Sequence, residues 1–91
     1  MIRLYADFND RTTDDGYWIL QHGGADLDEE AAKLGLAAGD RVLLYQDPDD
    51  FEVEAILDLR FVDEIRRRTW VAFPDWGTMR RLAPPRHARA I

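Results

Sequence analysis

Between Phe51 and Phe61 every odd-numbered residue is apolar (Phe51, Val53, Ala55, Leu57, Leu59, Phe61), and the positions between are mainly charged, with Glu52, Glu54, Asp58 and Arg60. A period of two held this long predicts a strand with one face on a core. The same alternation, Ile2, Leu4, Ala6 and Phe8 against Arg3, Tyr5 and Asp7, predicts a strand over residues 2–8. Aromatic and β-branched content predicts three more, at 17–21, 41–46 and 67–73. One segment has a different spacing. Leu27, Ala31 and Leu34 recur at i, i+4 and i+7, Asp26 stands before them with Glu29 in capping-box position, and Asp28 to Glu30 suit the positive end of a helix. A short helix over about 26–34 follows, with Gly35 to stop it.

The connections carry turn chemistry. Residues 9–16 read NDRTTDDG, His22 and two glycines break the second strand, and Ala37 to Asp40 form a tight turn. Residues 62–65 supply a bend, and Pro74 to Gly77 end the last strand with a single helical turn. The closing APPRHARAI lacks any period and holds two prolines, which predicts a disordered tail over 83–91 and one domain over 1–82. Five short strands with one inserted helix predict a mainly β fold, a small antiparallel barrel or half-barrel. The segment LGLAAGDRVLLY, residues 34–45, resembles the opening strand of SH3-like barrels, including those of translation and transcription factors, where a Gly-Asp turn feeds a Val-rich strand. The resemblance implies a fold and carries over no functional residue, because the loops do not match.

Composition narrows the function classes. A chain of 91 residues with no cysteine has neither disulfides nor thiolate metal sites, so its core supplies the stability. No signal segment or long apolar run is present, which makes a cytoplasmic protein without a membrane partner the expectation. The net charge of -6 opposes a polyanionic partner. That charge is unevenly placed, with -11 over residues 1–59 and +5 over 60–91, so weak self-association is a further expectation.

Candidate chemistry is sparse. Residues 47–54, DPDDFEVE, do not fit a calcium loop: Phe51 and Glu52 stand where an oxygen ligand and a glycine are needed, and the flanks are strands. A turn entering a strand is the better reading, with no metal site. Glu52 and Glu54 invite an acid/base reading, but alternate exposed positions on a strand explain them, with Asp58 expected opposite Arg68, Ile56 opposite Trp70, Ala55 opposite Val71 and Val53 opposite Phe73. There is neither serine nor cysteine, and His22 and His87 lack spaced partners, so an enzyme and a cofactor are not expected. The most suggestive group is Arg66, Arg67, Arg68, Trp70, Trp76, Arg80 and Arg81, where cations and flat side chains alternate. It fits an acidic protein surface, and in second place single-stranded RNA or a ribosome-associated role. Trp76 is expected either to plug the barrel or to line a peptide groove with Trp18. The sequence thus predicts a non-catalytic protein-interaction module.

Overall fold

The computed structural model describes residues 1–46 and 51–81. The chain runs β1 (Arg3–Tyr5), β2 (Tyr17–Ile19), β3 (Gln21–His22), β4 (Ala25–Asp26), α1 (Leu27–Leu34), β5 (Arg41–Tyr45), β6 (Phe51–Val62), β7 (Arg67–Pro74), a 3-10 turn (Trp76–Thr78) and β8 (Arg80–Arg81). The expected tail and the turn at 47–50 lie outside the described residues. The strands flanking that turn, β5 and β6, pair antiparallel with Tyr45 opposite Glu52, as a hairpin connection requires.

β6 organises the sheet because it is long enough to serve three neighbours. It pairs β5 over Glu52 to Ile56, β7 over Ala55 to Val62, and β8 at Phe51 and Glu52. The strand order is β1-β5-β6-β7-β2, curled into a half-barrel. Leu4, Val42, Leu44, Val53, Ala55, Leu57, Trp70 and Ala72 fill its inside, and Leu27 and Ala31 of α1 pack on them. The helix forms as its sequence predicts: Asp26 Oδ1 accepts from the Asp28 N–H at 2.8 Å, and Gly35 closes the last turn in the left-handed conformation.

Several expectations need correction. β1 pairs β5 in parallel, with Leu4 opposite Leu44, so the sheet is mixed. A parallel neighbour needs a long crossover, and the segment holding β2, β3, β4 and α1 provides it. The break at His22 is a second small hairpin, β3 with β4, turned by Gly23 (φ 62°) and Gly24 (φ 84°), a positive pair that side-chain-bearing residues seldom adopt together. The β6–β7 register also differs. Asp58 lies opposite Val71, Ile56 opposite Phe73 and Ala55 opposite Pro74, closed by a four-residue turn over 63–66. This register puts Trp70 and Ala72 on the inner face beside Leu57 and Leu59, whereas the expected one sets Trp70 outside; burial of the indole selects it.

The alternation along β6 holds through Leu57 and then fails. Val53, Ala55 and Leu57 are fully buried, but Phe61 is 61% exposed while its neighbour Val62 is buried. Strand twist accumulated over this length carries Phe61 past the end of the core. Val62 turns under the segment at 9–16, which crosses the outer face of the hairpin. Thr12 holds that crossing through its N–H to the Gly16 carbonyl (2.8 Å) and its hydroxyl to the Gly16 N–H (2.9 Å). Gly16 lies so near β7 that a Cβ there would stand 2.4 Å from Val71 Cγ1. Arg60 fastens the crossing from β6, with Nη1 2.9 Å from Asp14, Nε 2.7 Å from Asp58 and its guanidinium 4.7 Å from the Phe73 ring centre.

Candidate interaction surface

The acids of β6 are ion-paired, and Asp58, expected opposite Arg68, lies opposite Val71 and pairs with Arg60 of its own strand. Glu52 is 6% exposed and held from two strands, by Arg3 Nε of β1 at 2.7 Å and Arg80 Nη2 of β8 at 2.8 Å. The hydrogen bond from Arg80, reinforced by the one from Arg3, keeps its carboxyl below the usual carboxylate range against the opposing effect of burial. Arg3 also lies 4.1 Å over the Tyr45 ring, whose edge meets Tyr5. Glu54 pairs with Arg41 Nε at 3.1 Å, and Asp58 with Arg60. Each of these three carboxylates is engaged by an arginine.

The expected cationic and aromatic group divides. Arg66, Arg67 and Arg68 stand at the turn end of the hairpin, where Arg67 faces Val62, and Arg80 and Arg81 stand at the start of β6, where Arg81 faces Phe51. Eleven residues of β6 separate the two sites, about 35 Å of extended chain. They do not form one patch. Arg80 is committed to Glu52, and Arg67 approaches Asp28 at 3.8 Å. Among the described residues Arg66, Arg68 and Arg81 have no ion-pair partner. Trp70 is corrected to a core residue at 5% exposure, and its Nε1 has no hydrogen-bond partner among the described residues.

Trp76 remains on the surface, 50% exposed, for a reason visible in the backbone. Between β7 and β8 the chain leaves the ladder for five residues, and Glu54 of β6 supplies the anchor: its carbonyl accepts from the Asp75 N–H (2.8 Å), and its N–H donates to Thr78 Oγ1 (2.9 Å). Asp75 Oδ1 then caps Gly77 N–H at 3.2 Å. The excursion lifts Trp76 against Phe8 and Tyr17, with ring centres 6.0 and 6.4 Å away. Phe51, Trp76, Met79 and Arg81 line a concavity of about 250 Å³. The alternative groove shared with Trp18 is not formed, since Trp18 lines a separate cleft with Tyr5, Asp7, Asp10, Ile19, Leu20 and Gln21.

Phe51 and Met79 were not singled out by sequence reasoning. The available signal was Pro74 to Gly77, because an excursion between two paired segments pushes out residues on both its flanks. Among the described residues no group of three or more His, Asp or Glu side chains is placed to hold a metal ion, and no helix is long and apolar enough to cross a membrane. A scan against protein-family models, a search of curated proteins and a search of solved structures each found no match.

Proposed function

We propose that this protein is a non-catalytic, cytoplasmic protein-interaction module of SH3-like build whose docking site is the concavity of Phe51, Trp76, Met79 and Arg81. The observation that carries this reading is the exposure of Trp76 (50%) and Met79 (45%) around a depression next to an arginine with no ion-pair partner among the described residues. Aromatic, methionine and arginine side chains are the types enriched where protein surfaces meet. The volume is below the roughly 300–1,000 Å³ of small-molecule sites, so it suits a single apolar side chain with a neighbouring carboxylate for Arg81. The SH3-like build is supported by the bent β5-β6-β7 meander, and the parallel β1 departs from the antiparallel barrel expected. RNA is the weaker reading, because the arginines without a close ion-pair partner among the described residues stand at opposite ends of β6 with its acids between them.

Amide and indole chemical shifts test this, with two probes: short acidic peptides bearing one Leu, Phe or Trp beside Asp or Glu, and mixed-sequence single-stranded RNA. The expected result is peptide-induced shifts at Phe51, Trp76, Met79 and Arg81 that Trp76→Ala removes. Shifts by RNA over residues 66–81 that fade with added salt, with none from the peptides, overturn it.

A further inference from the structure

The half-barrel is not closed. β1 and β2 stand last in its strand order, the backbone of Asp10 and Arg11 is bonded along β2 (Trp18 N–H to the Asp10 carbonyl, 3.2 Å), and Tyr5, Asp7, Asp10, Trp18 and Leu20 line a cleft beside both strands. At about 220 Å³ the cleft is sized for a side chain, and it is too small for an ordinary metabolite. Its chemistry is that of a cation receptor. Asp7 and Asp10 have no basic partner among the described residues, and burial together with the charge of Asp7 pushes the Asp10 carboxyl up. A bound cation would offset the repulsion between the two carboxylates. Tyr5, 44% exposed, and the half-buried Trp18 offer flat faces on which a guanidinium stacks while pairing with a carboxylate.

The turn end of the β6–β7 hairpin carries the complement. Among the described residues neither Arg66 nor Arg68 makes a close ion pair, although Asp58 feels the charge of Arg68, and Phe61, directly opposite Arg68, is 61% exposed. Arg66 also sits at φ 54°, a left-handed position where glycine is free of strain and arginine is not. A polyphosphate chain fits this end poorly, because Asp63 and Glu64 share its turn. Isolated carboxylates in an aromatic-walled cleft fit it well, and the chain itself presents such a cleft. We propose that the hairpin end of one copy docks in that cleft of a second copy, with Arg66 and Arg68 on Asp7 and Asp10 and Phe61 against Tyr5 and Trp18. Each copy carries both halves, so the contact is either returned within a two-fold pair or repeated from copy to copy.

Charge exchange tests the contact. Sedimentation of the full chain from ~10 μM to ~1 mM measures association, and circular dichroism shows that each variant is folded. The expected result is that the wild type associates less as salt rises, and that Arg66→Glu/Arg68→Glu or Asp7→Lys/Asp10→Lys alone weakens association by ~10-fold or more. An equimolar mixture of the two variants regains it, since each then meets its complement. Should a lysine pair in the cleft not fold, Asp7→Asn/Asp10→Asn replaces it, with loss of association still expected. A wild type that is monomeric throughout, single variants that associate as the wild type does, or a mixture of the charge-reversal variants that stays apart overturns the proposal.

Discussion

The two faces of the β6–β7 hairpin are both covered, by different physics. On the inner face Val53, Ala55, Leu57, Trp70 and Ala72 meet α1 and the curled sheet, and almost no polar atom takes part. On the outer face Thr69, Val71 and Val62 lie under a loop held by the Thr12 hydroxyl, the Asp14–Arg60–Asp58 ion pairs and the close approach of Gly16. Burial by aliphatic packing is insensitive to salt and pH, whereas burial beneath a polar clasp depends on both. One hairpin therefore has a robust side and a conditional side.

Removing side chains from each face separates the two. Leu57→Ala strikes the inner face and is expected to cost about 3 kcal/mol in urea unfolding, with the same penalty at pH 5 and pH 8. Gly16→Ala strikes the outer face, because its methyl group would overlap Val71; a cost of about 2 kcal/mol is expected, partly recovered when Val71→Ala is added in a double-mutant cycle. Equal costs for Gly16→Ala with and without Val71→Ala would show that Phe73, whose Cε1 lies 2.8 Å from the same position, rather than Val71 sets the clash. Glu52→Gln should cost about 1 kcal/mol by loosening β1 and β8 from β6, since both arginines left behind can hydrate. Arg66→Gly is expected to stabilise the fold by about 0.5 kcal/mol by relieving the left-handed backbone while removing a cation from the hairpin end. The smallest effect is the pH dependence of the clasp. Asp14, through its bonds from Thr12 and Arg60, and Asp58, through those from Arg60 and the Leu59 N–H, titrate below the usual carboxylate range. Lowered pKa values give stability that is present above the unfolded value near 4 and lost as pH falls through the folded values. Wild type should therefore lose stability below pH ~4, and Arg60→Ala should show a shallower loss over the same range.

Those two faces were unequally legible in the sequence. Strand positions, the helix from Asp26 to Gly35 and the inward phase of Val53, Ala55 and Leu57 follow from local periods, which the chain expresses residue by residue. The outer cover does not, because it arises when NDRTTDDG folds back over distant residues, 46 positions away for the Asp14–Arg60 pair, and only Gly16 hints at so close an approach. The register has the same origin: a bend placed at 62–65 and the turn at 63–66 look alike in the sequence until the burial of Trp70 chooses between the pairings. The arginines of that group are legible, but which of them are ion-paired depends on Glu52 meeting Arg80 and Asp28 meeting Arg67 across elements. Phe61 was assigned to the core because a period of two contains no information about twist.

The parallel pairing of β1 has a consequence for the order in which the protein is made. Residues 1–26 supply both outer strands of the half-barrel, β1 and β2, but the strands they pair with, β5 and β7, are translated afterwards. At ~5–20 residues per second, the 48 residues between the end of β4 and the end of β7 take roughly 2–10 s to appear. Leu4 waits for β5 through the first part of that interval, and Trp18 and Ile19 wait for β7 through all of it, so β2 is made long before it can be incorporated.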